Sequence, residues 1–174
     1  GNINGSALGD ITITVNGTLP TSNYATSASP DICGVTFNSS SGQYRINSLP
    51  GGTDSLTLYA KPATGVIEYS VDAGTTWSEV IINNSNPIFT APLTIPTTQF
   101  NLWIRYKSGD VTLYGLDHKK GNKGLIFHKL GATGSSLQQW ATQVVTAEWR
   151  AAMQSLNPNA VFVMLATNDQ TSSR

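Results

Sequence analysis

Two short stretches carry residue types and spacings that could do chemistry. "LATND" ends an apolar run, Val161 to Leu165, on an amide and a carboxylate, Asn168 and Asp169. "GATGSS" sits earlier, and Gly134 precedes Asn168 by 34 positions. Gly131 and Gly134 bracket a tight turn there, followed by the hydroxyls of Ser135 and Ser136. An amide donates hydrogen bonds without titrating. In parallel α/β sheets such groups act at the carboxyl ends of strands. If the strands before the two turns are neighbours, both turns face one crevice.

The remaining candidates read as structural. Ser135 or Ser136 suits a helix cap, because a hydroxyl accepts an orphan backbone N–H. Asp169 is expected to fix the Asn168 turn rather than to react. His118 directly follows Asp117, and His128 lies inside the apolar stretch "GLIFH". Neither histidine is placed as a general base. Cys33, the one cysteine, has apolar neighbours and reads as a small core residue. "SVDAGTTW", Ser70 to Trp77, matches the Asp-box pattern S-x-D-x-G-x-T-W. Its carboxylate is expected to accept turn N–H groups, Gly74 to supply a positive φ, and Trp77 to pack under a hairpin. The motif resembles the Asp-boxes of sialidases, where it recurs from blade to blade. One copy and no internal repeat argue against a propeller.

These groups need elements to position them. The chain has 174 residues, no net charge and only 11% charged residues. Phosphate binding needs clustered Lys and Arg, so no nucleic-acid partner is expected. The longest basic cluster, His118 to Lys123, reads as a solvated turn. No apolar run of about 18 residues is present to span a membrane, and no signal peptide opens the sequence.

Residues 1–119 have a β rhythm. Short runs recur: "ITITV", "CGVTF", "QYRI", "SLTLYA", "VIEYSV", "WSEVII", "FNLWIRY" and "VTLYGL". Gly, Asn, Asp and Ser turns separate them. This spacing predicts an antiparallel, jelly-roll-like β-sandwich. In "FNLWIRY", alternation puts Phe100, Leu102, Ile104 and Tyr106 on one face and Asn101, Trp103 and Arg105 on the other. Trp103 is thereby a candidate to stack on a sugar ring.

Residues 120–174 change period. "GLIFHKLG" reads as a strand. Ser135 to Leu156 reads as one amphipathic helix, ended by Asn157 and Pro158. "AVFVMLA" reads as a second, fully buried strand. Strand, helix and strand make a βαβ unit. Alone, that unit leaves a sheet face and both edges open, so the α/β part is expected to be incomplete.

The ordered pair "GATGSS…ATND" resembles two blocks of the SGNH (GDSL-type) hydrolases, esterases and deacetylases on a flavodoxin-like sheet. The resemblance runs from about Gly124 to Asp169. It implies that Gly134 gives a backbone N–H, and Asn168 its side-chain amide, to an oxyanion hole. Ala166 stands where that family usually has Gly. The family's G-D-S and D-x-x-H blocks are not found: "LGD", Leu8 to Asp10, is followed by Ile11. The order of parts resembles carbohydrate esterases with a carbohydrate-binding-like sandwich inserted between the serine and glycine blocks. The nucleophile is then expected before Gly1 and the Asp–His pair after Arg174, and these residues alone are expected to be inactive. The resemblance implies an acetylated polysaccharide or other glycan as partner, together with the remainder of the SGNH domain. It calls for no cofactor and no metal, and the expected location is extracellular, secreted or virion-associated. The alternative is a non-catalytic glycan-binding or phage tail-fibre module.

Overall fold

The computed structural model describes residues 12–23, 26, 27, 29, 32–49, 55–84, 87–119, 130–132, 134–164 and 169. Their strands form two five-stranded sheets that pair antiparallel throughout. The first sheet runs in the order β1 (Thr12–Asn16), β4 (Gln43–Leu49), β9 (Phe100–Gly109), β6 (Gly65–Ser70), β7 (Ser78–Ile82). The second runs β2 (Thr21–Asn23), β3 (Gly34–Phe37), β10 (Val111–Lys119), β5 (Ser55–Ala60), β8 (Phe89–Leu93). The β-sandwich expected from the spacing is present.

Alternation builds the core. Tyr44 and Ile46, Ile67 and Tyr69, Val80 and Ile82, and Phe100, Leu102 and Ile104 point inward from the first sheet. Val35 and Phe37, Leu56, Leu58 and Ala60, and Val111 and Leu113 meet them from the second. Each buried aliphatic side chain contributes about 1.5–3 kcal/mol over leaving it in water. In β10 the pairing slips between Leu113 and Gly115. Alternation after Val111 and Leu113 puts Tyr114 outward beside Tyr59, so the second sheet also carries apolar groups on its outer face.

That outer face is covered by helix. The region expected to form one helix forms two, α1 (Leu137–Val144) and α2 (Ala147–Leu156). The break follows the β-branched pair Val144 and Val145. Thr146 then caps α2 by accepting from Trp149 N–H at 3.2 Å, while its hydroxyl donates to the Gln143 carbonyl at 2.7 Å. Asn157 ends α2 in the left-handed region at φ 49°, ahead of Pro158. Fully buried Ala152, with Ala151 and Leu156, packs against Tyr59, Tyr114 and Ile88. Burial pushes the Tyr114 hydroxyl up to about 12, and the nearby Glu148 carboxylate adds to the rise.

The βαβ unit is not seen among the described residues. The strand expected at 124–129 lies outside them, as does the boundary at 119/120. Residues 160–164 form no strand, and Phe162 and Met164 are 96% and 93% exposed. A parallel strand needs neighbours along its edge and cover on its faces. α2 gives Ala151, Ala152 and Leu156 to the sandwich instead, and Trp140 and Trp149 pack on Ile32 and Ala132.

Candidate functional site

The glycine turn leads into α1 through an ordered set of hydrogen bonds. Gly134 sits at φ 84°, a conformation glycine adopts at little cost. Among the described residues, a Cβ added there would meet nothing within 4 Å. Ser135 is buried: its N–H and hydroxyl both donate to the Ala132 carbonyl, at 3.0 and 2.6 Å. Its oxygen accepts from the Trp140 indole at 2.8 Å. Ser136 is the cap, in a reciprocal box with Gln139. Both hydroxyls therefore hold the turn. Ala132, at its base, is buried with Ile32, and Cys33, Trp140 and Trp149 pack around them. This fastens the turn to the loop before β3.

The second stretch meets the first through Asp169. Both carboxylate oxygens of Asp169 accept from the Leu137 N–H at 3.0 Å. This N–H belongs to the first residue of α1, where helices favour negative charge. Asp169 is thereby tied to the start of α1, just after the turn that contains Gly134; the Asn168 turn it is expected to fix lies outside the described residues. Asn168 and His128 lie outside the described residues.

The other site candidate, Trp103, lies on the outer face of the first sheet, half-buried. The Arg45 guanidinium stacks 4.0 Å over its ring from the directly opposed position on β4. The Asp-box hairpin closes in from the β6 side. There a Cβ on Gly74 would come within 2.6 Å of the Trp103 ring, so this glycine is required by space as well as by its φ of 86°. The hairpin has the expected form. Asp72 accepts from Thr76 N–H with both oxygens, at 2.9 and 3.1 Å, and from the hydroxyls of Thr76 and Ser70 at 2.6 and 2.7 Å. Trp77 donates its indole N–H to the Gly74 carbonyl at 3.0 Å.

Those hydrogen bonds, led by the Thr76 hydroxyl, hold the Asp72 carboxyl down at about 2. A carboxyl depressed in the folded state adds stability above its unfolded value of about 3.9 and loses it as pH falls through the folded value. Wild type should therefore outlast Asp72→Asn at pH 6, and the gap should close toward pH 2. Thermal melts across that range measure it, and a gap that persists undiminished at pH 2 contradicts the assignment.

Beside Trp103, Arg105 stacks 3.8 Å over Trp77 and donates to Glu68 at 2.7 Å. Lys107 pairs with Glu68 at 3.4 Å and with Glu79. The Arg105 hydrogen bond holds the Glu68 carboxyl below the usual range. On β10, the imidazole of His118 packs edge-on to Phe100, and burial pushes its pKa down, only partly offset by Asp117. Its Nε2 is buried without a hydrogen-bond partner. Asp117 is paired with Lys119 at 2.9 Å. These two residues assemble no base near the glycine turn. Among the described residues, no cluster of three or more His, Cys, Asp or Glu could hold a metal ion.

Sequence reasoning placed Trp103 on the outer face but missed its pairing with Arg45. The one available signal was alternation in "QYRI", where Tyr44 and Ile46 inward put Arg45 outward. Which tryptophan it would meet depends on strand register.

The two sheets define the class as an antiparallel β-sandwich with a helical layer on one face. No family model and no curated protein matches the chain. Among solved structures it is similar to an exo-beta-1,3-galactanase from Phanerochaete chrysosporium, at 14% identity and TM-score 0.43, over 64% of this chain and 30% of that one. It is also similar to a family two carbohydrate esterase from Cellvibrio japonicus, at 15% identity and TM-score 0.40, over 65% of this chain and 34% of that one. The chain spans about a third of the length of these structures. Similarity at this level fixes neither the fold nor an activity.

Proposed function

We propose that this chain is part of an SGNH-type esterase that removes acetyl groups from a polysaccharide or other glycan, with the sandwich holding the glycan. The Gly134 N–H and the Asn168 amide serve as oxyanion donors. The nucleophilic serine and its His–Asp partners come from sequence outside these 174 residues. The proposed setting is extracellular, secreted or on a virion.

The observation that carries this reading is the bond from Leu137 N–H to Asp169. It supports a shared crevice, because the residue next to Asn168 is tied to the helix that Gly134 introduces. The chemistry needs that proximity. The serine oxygen attacks the acetyl carbonyl as histidine takes its proton. The carbonyl π electrons move onto oxygen, which two preorganised donors stabilise. Collapse expels the sugar oxygen with that proton, and water repeats the sequence to release acetate.

Acetate release from O-acetylated glycans by the full-length protein tests this. Asp169→Ala should lower kcat about 10–100-fold, because a donor displaced by about 1 Å loses that much. Glycan affinity should not change. No acetate release by the unaltered full-length protein would sink the reading.

A second reading is a non-catalytic glycan-binding or tail-fibre module. It is favoured by α2, whose apolar side braces the sandwich. Glycan binding without ester cleavage by the full-length protein would select it.

A further inference from the structure

The outer face of the first sheet repeats one arrangement with a single difference. Trp77 carries a stacked arginine, Arg105, and that arginine has a carboxylate, Glu68, at 2.7 Å. Trp103 carries a stacked arginine, Arg45, and among the described residues that arginine has no carboxylate. Its one side-chain hydrogen bond runs to the neutral Gln43 amide at 3.0 Å. The Arg45 Nε and the Trp103 indole nitrogen are both buried without acceptors. Two orphan donors side by side are costly, about 1–3 kcal/mol each. A guanidinium carries its N–H groups in a planar fork, which matches a carboxylate in two-point contact.

We infer that this face binds a carboxylate-bearing sugar, a uronic-acid type of unit, with Arg45 on Trp103 as the carboxylate's partner. The ligand supplies what Glu68 supplies to Arg105. Among the described residues, α2 packs on the outer face of the second sheet, at Tyr59 and Tyr114, and the apolar clusters that contain helix residues include none from the first sheet. The inference rests on the sandwich being the glycan-holding part. It goes beyond that reading by assigning the chemical class of the glycan.

Titration calorimetry on the 174-residue chain tests it, with tetragalacturonate, the matching neutral tetragalactoside and a poly-glutamate peptide as probes. The acidic sugar should bind at least about tenfold tighter than the neutral one, as expected of one charge-assisted pair. Arg45→Gln should abolish that preference. Arg45→Lys should restore only part of it, because an ammonium is a point charge rather than a fork. Melting temperatures of both variants establish that they fold. Equal affinity for the two sugars, an unchanged preference in Arg45→Gln, no sugar binding, or equal binding of poly-glutamate would each overturn the inference. None of these outcomes bears on acetate release by the full-length protein, which judges the esterase reading separately.

Discussion

Asn168→Ala in the full-length protein should reduce acetyl-ester turnover about 100- to 1,000-fold with little change in KM. The amide is proposed to donate to an oxygen that is neutral in the bound ester and negative in the transition state. An interaction made chiefly in the transition state appears in kcat, not in KM. Losing one such donor typically costs about 3–4 kcal/mol of barrier. Asn168→Asp should be no better than alanine, because a carboxylate repels the developing charge. Steady-state rates on an acetylated sugar decide it. A loss below about threefold would remove Asn168 from the oxyanion hole. A rise in KM alone would make it a ground-state contact.

The second large effect concerns the frame. Leu102→Ala should destabilise the fold by about 2–5 kcal/mol. Leu102 is fully buried on β9, the central strand of the first sheet, and faces the second sheet. Truncation there removes contacts on every side, and a sheet hydrogen-bonded along both flanks has little room to collapse inward. For a chain of this size the melting temperature should drop by about 4–20 °C. Calorimetry measures it. A fall under about 2 °C would mean that the inter-sheet core is not where the stability lies.

Much of the sandwich was legible because alternation and turns act locally. "SLTLYA" is β5 residue for residue, and Phe100, Leu102 and Ile104 face inward as their spacing requires. Two edge strands were missed. β2 is three polar residues, and β8 contains Pro92, which a strand tolerates at a sheet edge. The helix break was visible in its parts, Val144, Val145 and Thr146, but apolar periodicity runs straight through them. Residues 160–164 show the limit of composition. An apolar run reads as buried, yet burial requires a partner, and none of the described residues covers Phe162. At the site, the glycine turn and the cap were legible as short motifs. The Arg45–Trp103 stack was not, because register joins residues far apart in the chain.

The most direct measurement is a crystal structure of the full-length protein with an acetyl-phosphonate analogue, whose charged oxygen mimics the oxyanion. The Gly134 nitrogen and the Asn168 side-chain nitrogen should each lie about 2.7–3.1 Å from that oxygen, and so no more than about 6 Å apart. An Asn168 amide directed to the opposite side of the sheet, or standing more than about 10 Å from Gly134, well beyond any shared hydrogen-bond acceptor, would contradict the account.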